Sequence, residues 1–363
     1  MIRNESWWLA SVFCLTLLAG TASAQEPRWQ AEHDAGWKAF KEGRLDDAEK
    51  RLRAAEKEAR AFGENDLRLA TTLDHLAWVL CSEGKANEGE SLAKQGLAIR
   101  EKTLGTEHED VAKSLNTLAC LYDMQGKATE AKSFYERCLA VLEKTQGPES
   151  PSVAAALDNL ATVQHVLGKN AEAETAYKRA LAIRDKAKSE KPVETAPTLY
   201  NLGVLYLDQD KFAESEPLLK KSLAIRQQAL GAEHPDVAAS LESLGWLYVK
   251  QGKNAEGEPL LKQALTIYEK TLGSDHPHTA RCCVKMAHAC CELGKHEMAE
   301  SCCKQALAIY EKSPDVNPAG YAKTLDEYAS VLRKTNRVAE AEKMEARAKA
   351  IRKGRATEDD RTK

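Results

Sequence analysis

Residues 237–278 read VAASLESLGWLYVKQGKNAEGEPLLKQALTIYEKTLGSDHPH, and residues 195–236 read TAPTLYNLGVLYLDQDKFAESEPLLKKSLAIRQQALGAEHPD. The two stretches align without a gap at a period of 42 residues. The period continues through the chain, with repeats beginning at Leu69, Val111, Val153, Thr195, Val237, Thr279 and Tyr321. An eighth, degenerate copy precedes them, so the sequence predicts an array of about eight units over residues 25–352.

Each repeat carries the apolar spacing of two helices. In the sixth unit, Leu241, Leu244 and Tyr248 stand at the i, i+3 and i+7 positions of one helix face. Gly252 follows, where a residue without a side chain can end the first helix in the left-handed conformation. Small residues recur where the two helices should cross closely: Ala77, Ala119, Ala161, Gly203, Gly245 and Ala287 in the first helix, and Gly89, Ala131, Ala173, Ser215, Gly257, Ala299 and Ala341 in the second.

The composition agrees with an all-α protein. The good helix formers Ala, Leu, Glu and Lys dominate, and no alternating run of Val, Ile and Thr predicts a sheet. The 52 basic and 55 acidic residues give a net charge of −3. Because no basic stripe stands out that could follow a phosphate backbone, nucleic acid is not an expected partner.

The spacing Leu-x2-Leu-Gly-x2-Tyr, followed by Ala, by Leu or Tyr, and by Ala, resembles the tetratricopeptide repeat over roughly residues 30–352. The 42-residue period and connectors such as LGAEHPD (230–236) are similar to the kinesin-light-chain subtype. The resemblance implies a right-handed superhelical α-solenoid of stacked antiparallel helix pairs, with the first helices on the concave surface. It also implies a non-enzymatic scaffold that binds a partner protein or an extended peptide in that groove.

Polar and aromatic residues on the first helices are the candidates for peptide binding: Asn116, Asn159, Asn201, Trp78 and Trp246. An amide side chain both donates and accepts, which suits an extended peptide backbone. In the resembled subtype, an Asn directly before the Leu of NLA or NLG contacts bound peptide, and Asn159 and Asn201 occupy that position. Other units carry His75, Thr117, Ser243, Lys285 and Glu327 there. The alternatives are a tolerated polar residue for each Asn, and packing against a neighbouring repeat for each Trp.

Three Cys-Cys pairs fall within residues 279–303, in the seventh unit. Most of these cysteines replace large apolar residues of other units, which favours a reduced structural core. Cys283 and Cys290 would lie about 10 Å apart along a helix, too far for one zinc ion with Zn–S bonds of about 2.3 Å. We therefore predict no metal site, although Cys302 or Cys303 could form a disulfide with Cys283 or Cys290. A redox- or metal-responsive module built on this unit is the alternative function.

Catalytic motifs are not recognisable in the sequence, which has no phosphate-binding glycine loop, Gly-x-Ser-x-Gly or His-Glu-x-x-His. His108, His234 and His276 recur at one connector position, which is more typical of a turn than of a catalyst. We expect no catalytic residue, no enzyme activity and no cofactor. Self-assembly is a third hypothesis, disfavoured because Glu345 replaces an apolar residue and makes the last unit resemble a solubilising cap.

The two ends of the chain differ from the array. Residues 1–24 combine Arg3, an apolar stretch and Ala22-Ser23-Ala24, which predicts a cleavable secretory signal. We therefore expect an exported protein, periplasmic or secreted, with a protein or peptide partner and no other membrane insertion. Membrane anchoring by an uncleaved segment is the alternative, although the apolar stretch is short for a bilayer. The charged residues 353–363 are expected to be a disordered tail.

Overall fold

The computed structural model describes residues 26–187, 192–312 and 318–359, and the signal predicted for residues 1–24 lies outside them. Within these ranges the chain forms sixteen α-helices, one 3-10 turn at Pro192–Glu194 and no strand. The helices are α1 (26–41), α2 (Leu45–Arg60), α3 (Leu67–Ser82), α4 (Ala86–Leu104), α5 (Glu109–Met124), α6 (Ala128–Gln146), α7 (Pro151–Val166), α8 (Asn170–Lys186), α9 (Ala196–Asp208), α10 (Phe212–Leu230), α11 (Pro235–Lys250), α12 (Asn254–Thr271), α13 (Pro277–Glu292), α14 (His296–Lys312), α15 (Pro318–Lys334) and α16 (Val338–Asp359).

The helices pair as the repeat predicts, each odd-numbered helix with the even-numbered helix that follows it. The chain divides into two compact units, Met1–Lys188 and Ser189–Lys363, which contain α1–α8 and α9–α16. Within each unit, a second helix packs both on its own first helix and on the first helix of the next repeat, as α4 does on α3 and α5. The prediction of an all-α repeat solenoid is therefore confirmed.

First helices also contact one another directly. Within each unit, we call the surface formed by these consecutive first helices the first-helix row. In the first unit α3 contacts α5, and in the second unit α11 contacts both α9 and α13. The side chains of a first helix that face neither its own second helix nor the preceding repeat line this row. The binding candidates on α3, α5, α7, α9 and α11 belong to it.

The turn inside each repeat uses one residue in the left-handed region. Gly252 has φ of 76°, and the Lys253 amide donates to the Tyr248 carbonyl at 2.8 Å, closing the end of α11. In two repeats a larger residue replaces the glycine, and Asp210 and Asn336 take φ of 56° and 62°. Because Asn and Asp tolerate this region better than other side chains, the hairpin is preserved.

The predicted close crossing within each hairpin is present. A Cβ atom added to Gly257 would lie 2.6 Å from the Gly245 carbonyl oxygen, so the α11 and α12 backbones are in contact there. In the preceding repeat the Ser215 hydroxyl donates to the Gly203 carbonyl oxygen at 2.6 Å. Two rows of small residues therefore set the spacing between the helices.

The last helix extends into the segment for which the sequence predicts disorder. Helix α16 continues through Asp359, and residues 349–353 of it are half-buried or exposed. Lys, Arg, Ala and Glu have high helix propensity, so a helix can extend through such a sequence. In the described part of the chain, none of the helices combines the length and the apolar character needed to span a bilayer.

Candidate binding surface on the first-helix row

Asn116 on α5 and Asn159 on α7 are joined by a hydrogen bond across neighbouring repeats. The Asn159 Nδ2 donates to Asn116 Oδ1 at 3.0 Å, and both side chains are half-buried. They line a pocket of about 400 Å³ between α5 and α7, whose floor includes Cys138 and Leu142 of α6. The structure thus brings two of the five predicted binding residues to one opening.

Asn201 and Trp78 lie on the first-helix row but are not part of this pocket. Asn201 is half-buried on α9 in the second unit. Beside it, Tyr200 accepts a hydrogen bond from Ser243 of the next repeat, with an O–O distance of 3.1 Å. Trp78 is half-buried on α3.

Trp246 on α11 packs against the repeats that follow it. The edge of its ring meets the His288 imidazole, with 5.6 Å between centroids. The ammonium groups of Lys285 and Lys323 each lie 5.8 Å from the ring centroid. These contacts favour the packing alternative for Trp246, although part of the indole remains exposed.

An ionic network around the buried Glu242 connects the sixth and seventh repeats, and the sequence pattern did not reveal it. Glu242 on α11 accepts hydrogen bonds from both Arg281 and the Tyr268 hydroxyl, and Lys285 lies 2.9 Å away. Burial raises the pKa of Glu242, but the charges and hydrogen bonds of Lys285 and Arg281 outweigh burial and lower the pKa to about 2. Since every carboxylate oxygen has a partner, we assign this network to structure rather than to ligand binding.

A stack of aromatic rings joins α1 to α3 in the first unit. His75 lies flat on Trp37, with 3.9 Å between centroids, and its Nδ1 is 2.9 Å from Nε2 of His33. Trp29 stacks on His33 and donates from Nε1 to the Thr72 hydroxyl at 2.9 Å. Burial, followed by the neighbouring His33, lowers the pKa of His75 to about 3. His33 aligns with His75 but lies in the degenerate first copy, where the repeat pattern is too weak to predict this contact.

The six cysteines of α13 and α14 are all buried and carry free thiols. Burial raises the pKa of Cys290 to about 11 and that of Cys302 to about 12. The disulfide candidates Cys283 and Cys303 are likewise unpaired. Across the residues that the structure describes, His, Cys, Asp and Glu do not form a cluster of three that could hold a metal ion. His288, on the same helix as four of these cysteines, pairs with Glu327, and its Nδ1 lies 3.2 Å from the carboxylate.

The recurrent connector histidines cap helices. Nδ1 of His108, His234 and His276 accepts a hydrogen bond from the backbone amide two residues later, at 3.1, 3.1 and 3.2 Å. Each of these residues stands directly before a first helix and satisfies one of its unpaired amides. This geometry explains their recurrence through the turn rather than through a shared catalytic centre.

Comparisons with known proteins also identify the chain as a repeat protein. The family model for the tetratricopeptide repeat matches residues 79–144, 125–186, 194–256, 247–312 and 282–354. A search of curated proteins found no match.

Among solved structures, the chain is similar to a putative kinesin light chain with nearly identical TPR-like repeats from P. anserina. The identity is 31% over 56% of this chain and 97% of that chain, with a TM-score of 0.48. BtubC (BKLC) from P. vanneervenii is 26% identical over 69% of this chain and 93% of that chain, with a TM-score of 0.51. The apo quorum sensor NprR from B. thuringiensis shares the fold at 12% identity over 88% and 86%, with a TM-score of 0.66. Because the family model covers most of the sequence, the chain belongs to the tetratricopeptide repeat family.

Proposed function

We propose that this protein is a non-enzymatic interaction scaffold that binds an extended peptide or a segment of a partner protein on its first-helix row. The observation that carries the proposal is the hydrogen-bonded Asn116–Asn159 pair, whose two residues line a pocket between α5 and α7. Clefts with apolar walls and a few convergent polar groups are the usual form of a binding site.

The amide pair leaves hydrogen-bonding capacity for a ligand. An Asn side chain has two N–H donors and one carbonyl acceptor. Asn159 uses a single donor on Asn116, so its second N–H and its Oδ1 remain for a peptide backbone. Asn201, on α9 of the second unit, occupies the aligned position and offers the same groups there. Each amide would contribute modestly, so affinity would come from several such contacts.

A pull-down tests the proposal. The protein without its first 24 residues is used as bait on periplasmic or secreted fractions, and bound proteins are identified by mass spectrometry. Replacement of Asn159 and Asn201 by Ala should reduce recovery of the main partner at least fivefold. Asn87→Ala, on the exposed face of the second helix α4, is the matched control. Equal recovery by all three proteins would contradict the assignment of this surface.

We also infer that the protein acts outside the cytoplasm, from the composition of residues 1–24. The intact mass of the protein expressed with its full sequence distinguishes a cleaved, exported chain from one that keeps residues 1–24 as an anchor. A mature chain that begins at Gln25 supports export with cleavage. A full-length chain retained in the membrane fraction supports the anchored alternative.

A further inference from the structure

One second helix of the first unit places an arginine between neighbouring first helices. Arg100 of α4 contacts the Asp74 carboxylate of α3 and the Ser114 hydroxyl of α5. Its Nη2 also donates to Thr71 Oγ1 at 3.1 Å. The guanidinium therefore fills the space between α3 and α5.

Arg226 of α10 stands at the aligned position in the second unit and also lies between two consecutive first helices. It donates to the Ser240 hydroxyl at 2.9 Å and to the Asp236 carbonyl at 3.0 Å, both on α11. Its guanidinium carbon lies 4.5 Å from the ring centroid of Tyr200 on α9. An arginine at this position thus closes the space between two consecutive first helices.

The boundary between the third and fourth repeats lacks all three parts of the arrangement around Arg100. Leu142 stands at the position of Arg100, Asn116 at that of Asp74, and Ala156 at that of Ser114. Arginine exceeds leucine by about three non-hydrogen atoms and serine exceeds alanine by about one, whereas protein interiors are normally filled. Leu142, Asn116 and Ala156 all line the pocket between α5 and α7, so the missing atoms account for part of its volume of about 400 Å³.

Apart from Glu109 and Lys113, the residues that line the pocket are uncharged. Asn116 Oδ1 already accepts from Asn159, and Ala156 has no hydroxyl. The Cys138 thiol donates to the Ala112 carbonyl oxygen at 3.2 Å, so it offers no free polar group.

The two charged residues that line the pocket, Glu109 and Lys113, are exposed and pair with opposite charges. Lys113 lies 2.7 Å from Asp110 and 3.7 Å from Glu109. A guanidinium entering the pocket would therefore lose its hydration without gaining a free carboxylate, which is unfavourable for a buried charge.

An exposed apolar side chain also lies at the end of each of the same two helices. Met124 at the end of α5 is 56% exposed, and Val166 at the aligned position of α7 is 68% exposed. Both side chains are therefore accessible to a bound partner. The α5–α7 part of the first-helix row is therefore suited to an uncharged, aliphatic segment.

We propose that the α5–α7 pocket receives one aliphatic side chain, of leucine or methionine size, from the bound segment, beside a backbone held by Asn116 and Asn159. Such a side chain supplies about four non-hydrogen atoms, the number that the boundary between the third and fourth repeats lacks relative to the preceding boundary. The proposal rests on the function proposed above and specifies the chemistry of one contact.

Capped amino acids test the pocket without knowledge of the partner. N-acetyl-leucine-N-methylamide is titrated into the 15N-labelled chain, and the side-chain amide resonances of Asn116 and Asn159 are followed by NMR. We expect saturable shifts with a Kd in the millimolar range, at least tenfold tighter than for the capped glycine or the capped arginine. Equal or tighter binding of capped glycine or capped arginine would overturn the proposal.

Two variants locate the binding. Leu142→Arg combined with Asn116→Asp and Ala156→Ser rebuilds the network of Arg100, and should remove the shift of Asn159 caused by capped leucine. Ala155→Phe narrows the mouth at an exposed position and should weaken binding at least fivefold even where the triple variant folds poorly. Retained binding in both variants would overturn the proposal. If capped leucine binds but the pull-down is insensitive to Asn159 and Asn201, the pocket stands and the proposed function fails.

Discussion

Glu242 of α11 and Arg281 of α13 form a two-point ion pair between consecutive repeats. Arg281 Nε donates to Oε1 at 2.8 Å, and Nη2 donates to Oε2 at 2.7 Å. Glu242 is 1% exposed, so its charge would be costly without these partners. The pair fixes the position of the seventh repeat on the sixth by directional bonds in addition to apolar contact.

The stability of the array should depend on pH through Glu242. Because its pKa falls from 4.5 to about 2 on folding, the carboxylate stabilises the fold above pH 4.5. This contribution is lost progressively as pH falls from 4.5 through 2. We expect Glu242→Gln to reduce the free energy of unfolding at pH 7 by about 3 kcal/mol, and by clearly less at pH 3.

Urea unfolding followed by circular dichroism at pH 7, 4.5 and 3 measures the difference. Glu256→Gln, at an exposed acid of α12, is the control and should change stability by less than about 0.5 kcal/mol. A deficit of Glu242→Gln that is as large at pH 3 as at pH 7 would show that charge is not the cause.

This network illustrates which features a repeat pattern predicts and which it does not. Helix positions, glycine turns and close crossings recur from unit to unit, so the alignment of the copies reveals them. Glu242 and Arg281 are 39 residues apart and belong to different positions of the 42-residue unit. Their contact depends on how two repeats stack, which a single sequence does not specify. The α5–α7 pocket could not be predicted for the same reason. Leu142 at the aligned position of Arg100 indicates a cavity only once the structure shows where Arg100 packs.

The close approach of α11 and α12 gives a second prediction. A Cβ atom on Gly257 would lie 2.6 Å from the Gly245 carbonyl oxygen and 2.7 Å from Val249 Cγ2. Gly257→Ala should therefore destabilise the protein by about 1–3 kcal/mol, although Ala alone favours a helix by about 1 kcal/mol. Thermal unfolding measures the effect, with Glu256→Ala on the same helix as the control. A rise in Tm for Gly257→Ala would disprove the tight crossing.

The histidine caps lead to a third prediction, specific to the connector. Since His234 Nδ1 accepts from the Asp236 amide, His234→Ala should cost about 1 kcal/mol of unfolding free energy. His234→Asn should retain most of the stability, because an Asn oxygen can accept the same bond. Chemical denaturation of the two variants measures their unfolding free energies. If both lose equally, the ring contributes through packing and not through capping.

The buried thiols should react slowly with a thiol reagent. Burial keeps the pKa of Cys302 near 12, so its thiolate fraction at pH 8 is small, and access requires local opening. Titration of the native chain with a chromogenic disulfide reagent should modify the half-buried Cys81 and Cys120 before the six cysteines of α13 and α14.

The same titration in denaturant, without reductant, counts the thiols that are not oxidised. Detection of all nine cysteines after residue 24 supports a thiol core in the seventh repeat. A deficit of two thiols that reductant restores would instead show that the chain contains a disulfide and would favour the redox-responsive module.

The turn of the last repeat gives the final prediction. Asn336 has φ of 62° at the position that Gly252 occupies in the sixth repeat, and its amide donates to the Arg333 carbonyl at 3.0 Å. Glycine adopts this conformation without a steric cost, whereas other residues lose roughly 1–2 kcal/mol there. Asn336→Gly should therefore stabilise the protein slightly, by up to about 1 kcal/mol, and Asn336→Ala should destabilise it by about 1 kcal/mol. The aligned Gly252 provides the reciprocal pair, since Gly252→Asn should cost less than Gly252→Ala. Urea midpoints that follow the order Gly, Asn, Ala at both positions would establish that one backbone conformation governs both hairpins.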